Sequence, residues 1–243
     1  MATIRFYEEL NDFLHKDKKK VSYPVKTNRG QTVKDLIESE NVPHTEVDLI
    51  LVNSNSVDFS YQVMDRDRIS VYPVFEALDI KNAAKLKLRP LRITKFILDV
   101  HLGKLARYLR ISGFDALYSN SYEDSEIADI AAGEGRIVLT RDRGLLKRSI
   151  VKRGYWIRSQ NASLQYREVL NRFDLTGSIS MFSRCPSCNG NLRLVEKKDI
   201  LDRLATKTAM YYDNFKTCNI CGKIYWKGSH YDNFIRMTGI DLQ

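Results

Sequence analysis

The four cysteines of this chain constrain its folding more than any other feature, because all of them lie in two Cys-x-x-Cys pairs. The pairs are Cys185–Cys188 and Cys218–Cys221, and 29 residues separate them. Four thiolates in two such pairs can surround a tetrahedral Zn²⁺ and leave no coordination position open for a substrate. A redox-active pair explains one motif but not both. Residues 177–243 are therefore predicted to form a zinc ribbon around a structural zinc ion, with the spacer as a hairpin or insertion.

Residues 95–176 alternate between strand and helix patterns. Short apolar runs at 96–98, 114–118, 137–139 and 155–157 are typical of strands, and stretches with apolar residues at helical spacing separate them. Gly113 stands where the first of these helices must end. The order favours a parallel sheet with helices on both faces, which is an α/β fold.

The first 80 residues show another order of elements, which is strand, strand, helix, strand, strand. The helix is predicted to start after Thr32 as its N-cap and to end before Pro43. A helix that packs across a small mixed sheet buries the apolar residues of such a pattern. Residues 1–80 are therefore predicted to be a separate α+β domain.

Charge is distributed unevenly along the chain. The whole chain carries a net charge of +9, whereas residues 1–80 carry −4 and residues 81–95 carry +6. Basic surface favours a polyanionic partner, although a bias towards solubility explains it equally well. Residues 81–94 are predicted to be a basic linker, either a solvated connector or an arm that lies on nucleic acid.

Acidic residues come directly after two of the predicted parallel strands. Asp99 follows the strand at 96–98, and Asp142 follows the strand at 137–140. In open α/β sheets, ligands bind at the carboxyl ends of the strands, so these acids are expected at one site. Asp124 begins a predicted helix on its apolar face, which directs the carboxylate inwards.

Converging carboxylates repel one another unless a cation lies between them. Oxygen ligands suit Mg²⁺ or Mn²⁺, which can lower the pKa of a bound water and stabilise charge on a phosphodiester. Asp99, Asp124 and Asp142 are therefore predicted to bind a catalytic Mg²⁺ or Mn²⁺. In the alternative interpretation, each acid only caps the helix that follows it.

Basic residues accompany two of these acids. Lys104 and Arg107 lie on the helix after Asp99, and Arg141 and Arg143 flank Asp142. All four are predicted to hold the scissile phosphate or its neighbours. The zinc-ribbon region also interleaves cations with aromatic rings, which suits single-stranded RNA but also suits the core of a small ribbon. His230 is interpreted as an ordinary surface or stacking residue.

The N-terminal region resembles the β-grasp of ubiquitin and of the small sulfur-carrier proteins. The resemblance rests on the element order and on the closing run Asp65-Arg66-Asp67-Arg68-Ile69-Ser70-Val71-Tyr72-Pro73. Sulfur carriers end in Gly-Gly, whereas this strand continues into Val74-Phe75-Glu76-Ala77. The resemblance therefore implies an adapter or docking role without carrier chemistry.

Residues 95–240 resemble the PIN-type RNases, in the branch first named from the C-terminus of the Mut-seven exonuclease. The matching runs are Phe96-Ile97-Leu98-Asp99, Gly113-Phe114-Asp115, Asp124-Ser125-Glu126-Ile127 and Gly135-Arg136-Ile137-Val138-Leu139-Thr140-Arg141-Asp142. The resemblance implies a metal-dependent endoribonuclease that uses three or four acids. Asp99, Asp124 and Asp142 match three of them, and Glu126 and Asp129 are the candidates for the fourth.

The leading interpretation is thus a metal-dependent endoribonuclease with RNA as its substrate and a protein partner for its β-grasp domain. The alternative is a non-catalytic RNA-binding adapter with a zinc ribbon. No apolar run approaches the roughly 18 residues of a membrane helix, and the N-terminus has no signal-peptide core. We therefore expect a soluble, cytoplasmic protein.

Overall fold

The computed structural model describes residues 1–73 and 94–239. The predicted basic linker at 81–94 lies outside the described residues except for its last member, Thr94. The chain divides into two compact units, one of residues 1–93 and 124–156 and the other of residues 94–123 and 157–243. The units cut across the predicted domains, whose boundaries stay a prediction.

The N-terminal domain of the first unit is a five-stranded mixed sheet with one helix. Its elements are β1 (Ala2–Phe6), β2 (Tyr23–Val25), α1 (Val33–Ser39), β3 (Val47–Val52), β4 (Asn55–Val57) and β5 (Arg68–Pro73). The strand order is β2-β1-β5-β3-β4, in which β1 and β5 run parallel and the other pairs run antiparallel. This is the predicted ubiquitin-like fold, and β4 is the one strand that the apolar pattern missed.

Helix α1 begins where the sequence predicts. Thr32 and Asp35 form a capping box, in which each side chain accepts a hydrogen bond from the other residue's backbone amide. Val33, Leu36 and Ile37 are buried and join the core between the helix and the sheet. One turn of apolar spacing therefore fixes which face of α1 meets the sheet.

The α/β region begins at residue 95 and supplies elements to both units. Those elements are β6 (Lys95–Leu98), α2 (Gly103–Ile111), β7 (Asp115–Leu117), α3 (Asp124–Glu134), β8 (Ile137–Thr140), α4 (Arg143–Lys147), β9 (Gly154–Trp156) and α5 (Ala162–Arg172). β6 pairs with β7 and β8 pairs with β9, and both pairs are parallel as predicted. Gly113 follows Ser112, the C-cap of α2, and has a φ of +93°, which confirms it as the stop signal.

Leu145, Leu146, Ser149 and Ile150 lie at helical spacing and predict a helix that α4 follows only in part. Leu145 and Leu146 are buried, but the helix ends at Lys147, before Ser149 and Ile150. The backbone of Arg148 is extended, and Ile150 is exposed. Two adjacent buried leucines are enough to anchor one turn, so the later apolar residue does not extend the helix.

The C-terminal region is a three-stranded antiparallel ribbon followed by a helix. Its elements are β10 (Leu192–Val195), α6 (Thr206–Tyr211), β11 (Phe215–Cys218), β12 (Ile224–Tyr225) and α7 (Ser229–Thr238). The spacer between the cysteine pairs thus supplies two strands with an insertion between them, as predicted. Tyr108 of α2, Tyr166 of α5 and Phe234 of α7 pack edge to face with centroids 5.3–6.1 Å apart, and so join the three helices.

Among residues 1–73 and 94–239, no helix is both long and apolar enough to cross a membrane. The cytoplasmic location stays a prediction. In chain order, the fold is a ubiquitin-like domain, a mixed α/β region with parallel strands and flanking helices, and a four-cysteine ribbon.

Candidate functional site

Asp99 occupies a hydrogen-bonded turn in the second unit. It follows the buried end of β6, and its own side chain is only 5% exposed. Its carbonyl accepts a hydrogen bond from the Leu102 amide at 2.9 Å, and Tyr118 Oη donates to the Val100 carbonyl at 2.9 Å. Gly103 lets the Tyr118 ring approach, because a Cβ there would lie 2.8 Å from the Tyr118 hydroxyl. Asp99 makes no side-chain cap bond to the turn that follows it, so the capping interpretation does not describe it.

Asp124 begins α3 in the first unit. It is partly buried and lies on the face of the fully buried Ile127, as its spacing predicts. Glu126 and Asp129, the two candidates for a fourth acid, are exposed. Asp129 also lines a cleft of about 280 Å³ together with Arg148. The two candidates therefore face different surroundings on one helix.

Asp142 belongs to a tight turn between β8 and α4. Its amide donates to Thr140 Oγ1 at 2.8 Å, and its Oδ1 accepts from the Gly144 amide at 2.7 Å. A Cβ on Gly144 would lie 3.2 Å from Asp142 Oδ1 and would press against the carboxylate. The capping interpretation is thus correct for Asp142, which is nevertheless exposed on its other side.

The three predicted carboxylates are divided between the two units, with Asp99 in one and Asp124 and Asp142 in the other. Each stands at the end of a strand or the start of a helix, as the sequence predicts. Their assembly around one Mg²⁺ or Mn²⁺ stays a prediction.

The four predicted phosphate-binding cations have unlike surroundings. Lys104 and Arg107 are exposed on α2. Arg141 is partly buried, and its carbonyl accepts a hydrogen bond from the indole Nε1 of Trp156 at 3.1 Å. The Arg143 guanidinium lies over two aromatic rings instead of standing in solvent, at 4.3 Å from the Trp156 centroid and 5.0 Å from that of Phe13.

The two Cys-x-x-Cys pairs form matching turns, which we call the first knuckle (185–190) and the second knuckle (218–223). In each, the amide four residues on donates to the carbonyl of the first cysteine, from Asn189 to Cys185 at 3.0 Å and from Gly222 to Cys218 at 3.1 Å. Asn189 and Gly222 both have a left-handed backbone, with φ of +66° and +67°. Each knuckle therefore turns sharply enough to aim both of its sulfurs at the other knuckle.

The four cysteine sulfurs all lie within 4.8 Å of one another. Cys185 and Cys221 are 3.7 Å apart, and Cys188 and Cys218 are 3.4 Å apart. Four sulfurs around a tetrahedral Zn²⁺ are about 3.8 Å apart, so the donor set and its spacing fit that ion. Gly190 leaves room for the cluster, because a Cβ there would lie 2.9 Å from Cys218 Sγ.

Thiol ionisation in the cluster also fits metal binding. Burial acts to raise the pKa of Cys218, but hydrogen bonds from the amides of Cys221 and Ile220 and from Cys188 outweigh it and lower the pKa to about 6. Burial raises the pKa of Cys188 to about 12. One sulfur of this close pair thus favours the thiolate, and a metal held by the cluster would displace the proton of the other.

The aromatic residues of the ribbon divide between its core and its surface. Phe215 is fully buried, and its ring and that of Tyr212 both pack near Trp226 with centroids 6.2 Å away. Tyr211, by contrast, is 74% exposed. The core interpretation is therefore correct for Phe215 and the two rings packed near it. For the exposed Tyr211, stacking on RNA stays a prediction.

The first knuckle is joined to the α/β region of its own unit by buried polar contacts. Arg110 of α2 is 5% exposed, and its guanidinium donates to the carbonyls of Ala116 at 2.7 Å and Ser187 at 3.1 Å. Burial lowers the pKa of Arg110 from its usual value. Asn189 Oδ1 accepts from the Ala116 amide at 3.1 Å, so this side chain pairs with the β7 strand.

Sequence reasoning missed several residues that shape these sites. Thr140, Gly144 and Tyr118 hold the two aspartate turns, and Arg110 and Asn189 hold the first knuckle. Gly144 was the one detectable signal, since a glycine directly after Asp142-Arg143 permits close approach of a carboxylate. Thr140 acts only two residues from its partner Asp142. The partners of Tyr118, Arg110 and Asn189 are distant in sequence.

Comparison with known proteins agrees with this architecture. A family model described as the Mut7-C RNAse domain matches residues 94–238, and one described as Mut7-C ubiquitin matches residues 1–79. The Exonuclease mut-7 homolog of Homo sapiens is 33% identical over 121 residues, a match that covers 47% of this chain. That match spans only 14% of the human protein. No solved structure was found to match the chain. Because the first family model matches more than half of the chain, the protein belongs to the Mut7-C RNAse domain family, with a Mut7-C ubiquitin domain at its N-terminal end.

Proposed function

We propose that the protein is a metal-dependent endoribonuclease of the PIN type, which hydrolyses phosphodiester bonds in RNA. The observation that carries this proposal is the placement of Asp99 and Asp142. Each follows a strand of a parallel pair, each sits in a hydrogen-bonded turn, and both lie within residues 94–238, which the RNAse family model matches. Acids at the carboxyl ends of parallel strands are well placed to act on a ligand.

In this proposal, Asp99, Asp124 and Asp142 hold Mg²⁺ or Mn²⁺, and Glu126 is the candidate for a fourth acid. The bound ion supplies an activated water and stabilises negative charge on the phosphate. The exposed Lys104 and Arg107 bind the phosphates of the substrate next to the scissile bond, and Arg141 assists them. The residues of the proposed site thus divide into ligands of the metal ion and ligands of the RNA phosphates.

The four cysteines hold a structural Zn²⁺ in the same proposal. Their sulfurs are the soft ligands that this ion prefers, and four protein ligands leave no position for substrate. The first knuckle contacts β7 and α2, which carries Lys104 and Arg107, so a zinc ion held by the cysteines would also support these two elements.

A closed circular RNA distinguishes the proposed endonuclease from an exonuclease. The human relative is named an exonuclease, and an exonuclease finds no end on a circular substrate. We expect Mn²⁺-dependent linearisation of the circle, abolished by a chelator and by Asp99→Asn. Degradation of linear RNA with an intact circle contradicts the endonuclease assignment, and no cleavage of either RNA contradicts the nuclease assignment.

A non-catalytic RNA-binding adapter is the second candidate, and one observation favours it. The carboxylate of Asp142 already caps α4 through the Gly144 amide, which gives this residue a structural role. Asn caps a helix about as well as Asp. Asp142→Asn therefore leaves RNA binding and folding intact under both hypotheses, and it abolishes cleavage only under the nuclease hypothesis.

A further inference from the structure

One face of the ubiquitin-like domain contacts the segment that carries Asp142, within the same compact unit. This docking face consists of Phe13, Glu38, Asn41, His44 and Glu46. It meets α4, β9 and the loop between them, residues 143–156. The contacts lie at both ends of α4 and along β9.

The docking face holds the N-terminal end of α4 through Arg143, the residue next to Asp142. The guanidinium of Arg143 lies over the rings of Phe13 and Trp156, at 5.0 and 4.3 Å, and Nη1 donates to the Phe13 carbonyl at 3.4 Å. The two rings also contact each other, with centroids 5.1 Å apart. A guanidinium stacked on aromatic rings is held by both cation–π attraction and packing.

The docking face also holds the C-terminal end of α4. Lys147 Nζ donates to the Glu38 carbonyl and to Asn41 Oδ1, both at 2.9 Å. Beyond the helix, His44 Nε2 is 2.9 Å from the Val151 carbonyl, and His44 is only 8% exposed. The two hydrogen bonds from Lys147 have a charged donor, and such charge-assisted bonds are stronger than neutral ones.

Strand β9 completes the contact through Trp156. Its amide donates to Glu46 Oε1 at 2.6 Å, and its ring packs against the hydrophobic core of the ubiquitin-like domain. Its indole Nε1 donates to the Arg141 carbonyl at 3.1 Å, directly before Asp142. One aromatic residue thus links the ubiquitin-like core to the backbone of the Asp142 turn.

We infer that the ubiquitin-like domain is an intramolecular clamp that positions the Asp142 carboxylate. In this assignment, which rests on the proposed function, Arg143 and Lys147 are positioning residues and Arg143 is not a phosphate ligand. The docking face is used within the chain, so a protein partner binds elsewhere on this domain.

Asn41→Gly tests the clamp with little risk to folding. Asn41 is exposed and has a φ of +70°, which glycine adopts freely, so the change removes only the side-chain acceptor of Lys147. The matched control is Asn53→Gly, because Asn53 also has a positive φ of +50° but bonds to Asp67 and Arg68 within its own domain. The readout is hydrogen exchange of the Gly144 amide, which bonds to Asp142.

We expect Asn41→Gly to speed exchange of the Gly144 amide about tenfold, because one charge-assisted bond is lost. We expect kcat for RNA cleavage to fall by a similar factor with KM unchanged, since the carboxylate is displaced while substrate binding is not affected. Asn53→Gly should change neither quantity. Equal exchange rates in the Asn41→Gly and Asn53→Gly variants overturn the clamp.

Arg143→Met separates positioning from phosphate binding. A positioning role predicts a lower kcat with an unchanged KM and an unchanged salt dependence, and Phe13→Leu should give the same pattern. A raised KM with a flatter salt dependence makes Arg143 a phosphate ligand and overturns its assignment. A wild-type protein that cleaves no RNA refutes the proposed function, whereas Gly144 exchange, measured without RNA, still decides the clamp.

Discussion

The side-chain amide of Asn189 donates a hydrogen bond of 2.8 Å to Oδ1 of Asp115, the first residue of β7. The carbonyl of the same side chain accepts from the next amide, that of Ala116, at 3.1 Å. Asn189 is also the left-handed residue that completes the first knuckle. A single asparagine therefore shapes the cysteine cluster and pairs it with a strand of the α/β region.

Replacing Asn189 with glycine should destabilise the protein without removing its metal. Glycine keeps the left-handed backbone, but the buried Ala116 amide loses its acceptor. We expect the free energy of unfolding to fall by about 1–3 kcal/mol. Denaturant unfolding measures this loss, and elemental analysis should still find the wild-type zinc content. Unchanged stability contradicts the role of Asn189 as an anchor to β7. Loss of zinc from the variant shows instead that Asn189 acts by shaping the cysteine site.

The purified protein should contain about one zinc ion per chain. Cys218→Ser should lose the ion and unfold the ribbon, because a three-sulfur site binds zinc less tightly, while residues 1–73 stay folded. Ser187→Ala is the matched control, since Ser187 lies in the first knuckle but contributes no sulfur. Elemental analysis combined with residue-resolved exchange measures both effects. A reduced, intact protein without zinc contradicts the assignment.

Asparagine substitution of the three carboxylates should remove activity and preserve the fold. We expect Asp99→Asn, Asp124→Asn and Asp142→Asn each to lower the rate of RNA cleavage about a hundredfold or more, since a metal ligand is lost. At a helix cap, the same change costs a few tenths of a kcal/mol at most. Melting temperature and cleavage are measured together, with Asp199→Asn as an exposed control from the ribbon. Stable variants that cleave normally at all three positions refute the site.

Neutralising the cations of α2 should weaken RNA binding in a salt-dependent way. Lys104 and Arg107 are exposed, so Lys104→Gln and Arg107→Gln change charge with little effect on packing. Each should reduce the slope of log affinity against log salt by about one unit, because one phosphate contact is lost. Filter binding at several salt concentrations gives the slope. A wild-type slope in both variants shows that these cations do not contact phosphate.

Tyr166 should make the protein sensitive to alkali. Burial raises the pKa of its hydroxyl from 10.0 to about 12, and the hydrogen bond with Ser112 only partly offsets this. Because the folded-state pKa is the higher one, the stabilisation is complete below pH 10 and is lost as the pH rises towards 12. We expect Tyr166→Phe to reduce the loss of stability between pH 9 and pH 11 by about 1 kcal/mol, because pH 11 lies only halfway between the two pKa values. Unfolding at pH 9 and pH 11 tests it, with the exposed Tyr211→Phe as the control, and an equal loss in both variants contradicts the prediction.

Local patterns in the sequence were sufficient to identify most elements and several site residues. The Thr32 cap, the Gly113 stop and the apolar periods predicted α1, α2 and the parallel strands, because such signals act within one turn or one strand. Short elements were predicted less well. β4 has only three residues and no fully buried side chain, so it leaves no clear apolar pattern.

The sequence by itself was sufficient to identify the two cysteine pairs and the acids after β6 and β8 as site residues, because each of these signals involves only a few neighbouring residues. The tertiary structure decided which polar residues serve packing. His44 and Val151 are 107 residues apart in sequence, and Arg143 meets Phe13 across 130 residues. No local periodicity records such pairs, because a polar side chain that packs between two parts of the chain is identified by its partners and not by its neighbours in sequence. The use of the ubiquitin-like domain as a clamp could therefore be inferred only after the chain was folded.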